Sequence, residues 1–184
     1  MPTAYQKLLR SRRSIRRFLP DAVEKEKILA CLEAARMAPS AENAQPWRFL
    51  VVDEPALKEV LGREAFSSIY AMTKFAAQAP VLVVVLAKLD LLAHRLGRAV
   101  QGTKFYLIDI GIAGEHFVLQ AEELGLATCW IGWFNARKVR KILKVPSSYK
   151  IVAMLAVGYA ASRPPAETKR KSLDEIAWWN AVKR

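Results

Sequence analysis

The eight residues from Pro80 to Ala87 (Pro-Val-Leu-Val-Val-Val-Leu-Ala) contain no polar side chain, and half of them are valine. Successive side chains of a strand point to opposite faces of its sheet, so a run like this fits a strand buried on both faces. The apolar stretch from Ala79 to Ala87 is about half the ~18 residues that a membrane-spanning helix needs. Ile151 to Tyr159 reads as a second buried strand, and Trp47 to Val52 and Ala127 to Ile131 as two more. A sheet covered on both faces needs other structure above and below it, which implies three layers.

The covering layers are legible as helices. Residues 3–13 place Tyr5, Leu8 and Leu9 on one side of a first helix. Asp21 to Met37 repeats Ile28, Leu32 and Ala35 at helical spacing, with Leu29 widening the stripe, and stops at Ala38-Pro39. A helix initiated by Pro55 runs to about Leu61, and residues 66–78 are helical. Lys104 to Leu124 is a long helix, apolar on most sides, with Gly125 at its C-cap. Arg137 to Leu143 is a short helix, and a short last helix carries Trp178 and Trp179. Leu89 to Gln101 has no clear pattern; Arg16 to Pro20, residues 39–46 and Ser162 to Pro165 are connectors. With no internal repeat and no long linker, residues 1–184 form one α+β domain: a three-layer sandwich with a mixed central β-sheet flanked by helices.

Composition excludes several classes. The chain is 53% hydrophobic, enough to bury a core despite a formal net charge of +12, so it is not a disordered chain. Cys31 and Cys129 are far apart and apolar in context, which argues against a disulfide framework or a zinc site. His94 and His116 lack a metal-binding context. No secretory signal opens the sequence, which leaves a cytoplasmic location as the default. The charge has two readings, a nucleic-acid-binding basic module or a soluble surface with a pocket for a small phosphorylated ligand. Its distribution favours the second. Bases cluster at residues 1–20, 137–150 and Lys169 to Lys171, interrupted by apolar residues, without a basic tail or a recognisable nucleic-acid motif.

No glycine fingerprint for a dinucleotide and no GxxxxGK[ST] loop is present, so a bound phosphate would have to be held by side chains. Arg12-Arg13-Ser14-Ile15-Arg16 offers guanidinium groups and a hydroxyl at a helix end. One helix later comes Ala38-Pro39-Ser40-Ala41-Glu42-Asn43-Ala44-Gln45-Pro46-Trp47-Arg48-Phe49. Asp109 to Ala113, Gly125 to Gly132 and Lys169 to Glu175 complete the series. In this order and spacing the segments resemble the nitroreductase family of flavoproteins, over essentially the whole chain.

The resemblance implies an FMN-dependent oxidoreductase that transfers hydride from NADH or NADPH, in ping-pong order through FMN N5, to a small-molecule acceptor such as a nitroaromatic, quinone or flavin. It also implies an arm-exchanged homodimer with FMN at the subunit interface. Arg12, Ser14 and Arg170 match phosphate-binding positions, Arg13 a position near the ribityl chain and ring, and Arg16 the cation at the N1 and O2 edge. Pro39, Ser40 and Asn43 match a loop given by the partner subunit, and Ile131 and Gly132 the turn facing N5. Lys74 matches a position before the central strand; Thr168 stands where the family often has lysine, so Lys169 or Lys171 substitutes. Other chemistry of the same fold, dehalogenation or flavin fragmentation, remains an alternative, as does the nucleic-acid module.

The chemistry of the residues agrees. A fixed cation near N1 stabilises the negative charge of a reduced flavin, and the reaction needs neither a nucleophile nor a metal. Trp47 reads as core, Asp109 and Glu115 as structural, and Trp133 and Phe134 as lining either a pocket or a dimer contact.

Overall fold

The computed structural model describes residues 1–88, 103–163 and 168–182. Helix α1 (Ala4–Ser11) and helix α2 (Lys25–Arg36) lead to strand β1 (Trp47–Val52). Helix α3 (Pro55–Ala65) and a 3-10 segment (Ser68–Gln78) precede strand β2 (Val81–Lys88). Helix α4 (Phe105–Glu123), strand β3 (Ala127–Ile131), helix α5 (Ala136–Ile142), strand β4 (Tyr149–Gly158) and helix α6 (Leu173–Ile176) follow. The region from Leu89 to Gln101 and the prolines Pro164 and Pro165 lie outside the described residues.

The four strands form one sheet in the order β1-β2-β4-β3. The two apolar runs occupy its centre, as their composition requires. Leu82, Val84 and Leu86 of β2 face one core, while Val81, Val83, Val85 and Ala87 face the other. The register between β2 and β4 shifts between Val85, opposite Ala153, and Leu86, opposite Ile151. Val152 is therefore the extra residue of a bulge, which lets Ile151 and Met154 face the same core although they stand three positions apart. On one face α2 and α4 pack together, burying Ile28, Cys31 and Ala35 against Ala113, Phe117 and Ala121. On the other lie Leu61 and Ala65 of α3, Ala76 of the 3-10 segment and Val139 of α5. The three layers and the α+β class are as the sequence implies.

The sheet differs from the mixed one expected. All pairings between its described strands are antiparallel, and parallel geometry is confined to an isolated bridge between Ser14 and Thr128. The reason lies in the crossovers. A parallel neighbour needs a crossover that carries the chain back to the start of its strand. Between β1 and β2 stand two helical segments in mutual contact, so the chain re-enters where it left, with Val52 opposite Leu82.

Other boundaries move by local chemistry. Glu24 is extended and caps α2, so that helix starts four residues later than Asp21. The last helix closes at Ile176, so Trp178 and Trp179 fall beyond it, and Trp179 is 92% exposed. Trp47 is buried in the core, as expected.

Phe117 of α4 is fully buried, with its ring stacked on Phe49 at 6.1 Å. Phe117→Ala should destabilise the fold by about 3–5 kcal/mol through lost burial and a residual cavity. Urea unfolding of the two proteins measures the difference.

Candidate functional site

Two neighbouring cavities gather the cationic segments. The chain leaves α1 at Arg12, whose backbone N–H donates to Leu8 O at 3.1 Å and whose φ of −58° and ψ of 127° break the helix. It then runs along the edge of β3. Ile15 N–H donates to Thr128 O at 2.9 Å, and the buried side chains of Ile15 and Phe18 hold the segment down. Ser14, Arg16 and Arg17 are exposed on either side of these two anchors.

The first cavity, of about 290 Å³, is lined by Leu9, Arg10, Arg12, Arg13, Thr168 and Arg170. Four arginines from distant parts of the chain thus line one cavity, and among the described residues no carboxylate lines it. That is the donor set of an anion site, since guanidinium forks match phosphate oxygens in pairs. Arg12 and Arg170, both matched to phosphate positions, meet there, and Arg13, matched to a position near the ribityl chain and ring, lines the same cavity. Ser14 pairs through its backbone with Thr128 and does not line it. Thr168 lines the cavity where Lys169 and Lys171 do not.

The second cavity, of about 350 Å³, brings Arg16 together with Phe75, Trp130, Ile131 and Gly132. The Arg16 guanidinium lies 5.8 Å from the centre of the Phe75 ring, a cation–π contact that fixes it on the 3-10 segment. A Cβ added to Gly132 would meet nothing within 4 Å, so this backbone is open to a ligand. The turn after β3 is tied down: Thr73 Oγ1 donates to Trp133 O at 2.7 Å, and Trp133 Nε1 donates to Ile69 O at 2.9 Å. Trp133 therefore lines this cavity, with Tyr70 beside it at 5.3 Å, whereas Phe134 is core. Lys74 is exposed between two lining residues, Thr73 and Phe75, without lining the cavity itself.

Pro39, Ser40 and Asn43 are not brought into either cavity. Their loop is ordered by its own bonds: Ser40 Oγ accepts from Gln45 N–H at 2.9 Å, and Asp109 Oδ1 accepts from Ala41 N–H at 3.1 Å. Glu42, Asn43 and Gln45 all have left-handed backbones (φ 51°, 53° and 44°), a conformation that side chains resist and these bonds sustain. Asp109 is buried, and among the described residues its Oδ2 has no hydrogen-bond partner.

Sequence reasoning missed Arg10, Thr73 and Trp130 as cavity residues; no local motif marks them, because the cavities form across chain separations. Burial pushes the Cys31 thiol up to about 12. Burial also raises Cys129, partly offset by Arg16 and Arg12. Among the described residues no cluster of three or more metal-ligating side chains is present, and no helix is long and apolar enough to cross a membrane. Part of the basic surface at 137–150 is committed internally. Arg140 donates to the carbonyls of Val145, Pro146 and Tyr149, Lys138 pairs with Glu64 at 2.7 Å, and Lys150 bonds the Tyr106 hydroxyl at 3.1 Å.

Residues 9–159 match the family model described as Nitroreductase family. A NADH dehydrogenase of Thermus thermophilus is 33% identical, over 91% of this chain and 92% of that protein. A 5,6-dimethylbenzimidazole synthase of Rhodobacter capsulatus is also 33% identical, over 84% and 83%. Among solved structures, an FMN-dependent nitroreductase of Clostridium difficile R20291 superposes with a TM-score of 0.76 at 28% identity, covering 95% of this chain and 98% of that one.

Asp109→Ala would strip the Ala41 N–H of its acceptor and release the left-handed loop. Hydrogen exchange at residues 40–45 should accelerate, with about 1–3 kcal/mol lost in stability, the cost of unpairing a partly buried donor. Unchanged exchange there would show that the loop holds itself.

Proposed function

The chain belongs to the nitroreductase family, and from that premise we propose that it is an FMN-dependent oxidoreductase using NADH or NADPH. The observation that carries the reading is the convergence of Arg12, Arg13 and Arg170, far apart in the sequence, on one cavity that no carboxylate lines among the described residues. A terminal phosphate monoester suits that donor set, and the absence of a glycine fingerprint disfavours a pyrophosphate. The residues present therefore fit FMN. Arg12, Arg13 and Arg170 would hold its phosphate, with Ser14 beside them, and the neighbouring cavity would receive its ring. When bound, the flavin supplies two-electron chemistry between a nicotinamide and an acceptor.

Within this reading the protein's residues bind, orient and tune. Arg16, set on Phe75, places a fixed positive charge that favours an electron-rich ring. Ile131 and Gly132 offer backbone at the end of β3, where a ring can come close, and Trp133 closes the wall. Lys74, on the rim, adds positive charge.

A homodimer completes the proposal. Pro39, Ser40 and Asn43 would reach the site of the other copy. The C-terminal arm, with Leu173 77% and Trp179 92% exposed on its own domain, would be covered by that copy. A nitroaromatic, quinone or free flavin suits the aromatic second cavity as acceptor. The likeness to a 5,6-dimethylbenzimidazole synthase favours a second reading, flavin fragmentation. Recovery of intact flavin after many turnovers would exclude it.

The reading is tested by spectrum, titration and kinetics. Purified protein should take up about one FMN per chain and give parallel double-reciprocal plots with NAD(P)H and acceptor. Failure to take up FMN would remove the reading, and binding of duplex or single-stranded nucleic acid at physiological salt would favour the competing one. Arg12→Ala should weaken FMN binding by about 1.5–3 kcal/mol, the usual contribution of a charge-assisted contact. Arg16→Ala should lower the flavin potential and slow its reduction while FMN stays bound. Equal loss of FMN from both variants, with the potential of saturated Arg16→Ala unchanged, would refute this division of roles.

A further inference from the structure

Glu115 touches the walls of both cavities. It stands on α4, and its carboxylate oxygens go separate ways: Oε1 lies 3.7 Å from Arg12 Nε, and Oε2 accepts from Trp130 Nε1 at 3.4 Å. Arg12 lines the arginine cavity and Trp130 the other, while among the described residues no carboxylate lines either. Trp130 is held tightly: its ring lies so close over Gly114 that a Cβ there would stand 2.1 Å from Cη2. The residue preceding Glu115 is thus the surface on which the indole rests, and the indole N–H is carried towards the carboxylate.

We infer that Glu115 is a positioning residue for Arg12, an inference that rests on the flavin reading above. A guanidinium is planar and rigid, so a negative charge on its Nε side biases the direction in which the whole group points. At 3.7 Å Glu115 forms an ion pair rather than a hydrogen bond with Arg12 and draws the Nε side towards α4, while Arg12 lines the arginine cavity. The carboxylate also repels a bound phosphate, but the two effects are unequal. The Glu115 side chain is 44% exposed, and solvent screens a distant repulsion more than it weakens a contact. Orientation outweighs repulsion, so losing the carboxylate weakens phosphate binding.

The test compares FMN with riboflavin, which has the same ring and no phosphate. Flavin-free full-length protein is titrated by fluorescence as wild type, Glu115→Ala, Arg12→Ala and the double variant. Glu115→Ala should weaken FMN about two- to fivefold, the scale of a partly exposed ion pair. Riboflavin affinity should stay within the error of the titration, which also reports that the variant is folded. In the Arg12→Ala background, Glu115→Ala should change FMN affinity no further, because the residue through which it acts is gone. Equal losses for FMN and riboflavin would reduce Glu115 to a support of Trp130, and tighter FMN binding would make it a repulsive neighbour. Additive effects in the double variant would show that it does not act through Arg12. A wild type that binds FMN no better than riboflavin would instead bring down the phosphate reading itself.

Discussion

Everything in this molecule follows from the need to cover β2 and β4 on both faces. Their side chains are apolar on alternate sides, so each face of the sheet must be sealed by a helical layer. Once α2 and α4 seal one face, and α3, the 3-10 segment and α5 the other, no sheet face is left for a ligand. A site can then form only at the margin. The β3 edge provides it, because the segment from Ser14 to Phe18 runs there, bonded at Ile15 and sunk at Phe18. Arg16 and Arg17 lie exposed between its two buried apolar anchors, Ile15 and Phe18.

Like charges converging in one cavity repel each other, and the chain offsets this locally. Glu115 neutralises part of the field at Arg12, while Arg16, in the second cavity, rests on the ring of Phe75. An anion in the cavity would relieve the remaining repulsion, which ties the stability of this region to occupancy. The design is electrostatic preorganisation: cations are held before the ligand arrives, by contacts that do not involve it.

The fold was legible in the sequence wherever a periodic pattern spanned an element. The unbroken apolar run of β2 announced its own burial, and Ile28, Leu32 and Ala35 announced the inner face of α2. What could not be read were properties set between elements. Strand direction depends on where each helical connection re-enters the sheet, and no single residue encodes that. The site was half legible. The arginine run and the Ile131-Gly132 turn are local motifs and could be found, whereas Trp130 and Glu115 come to matter because Gly114 admits an indole. Asp109 looked structural and is, but what it supports is a loop some 68 positions earlier in the chain.

The arginine cavity draws on Arg12 and Arg170, and so on nearly the two extremes of the polypeptide. An anion gripped by both is a noncovalent clasp that closes almost the entire chain into a ring. Clasps that span long loops restrict an unfolded chain most, because the freedom removed grows with the length enclosed. Pulled apart from outside Arg12 and Arg170, this domain would meet that clasp before the strand pairs enclosed by it bore load. The ligand would thus set the force at which the domain starts to come apart, as well as the chemistry that it performs.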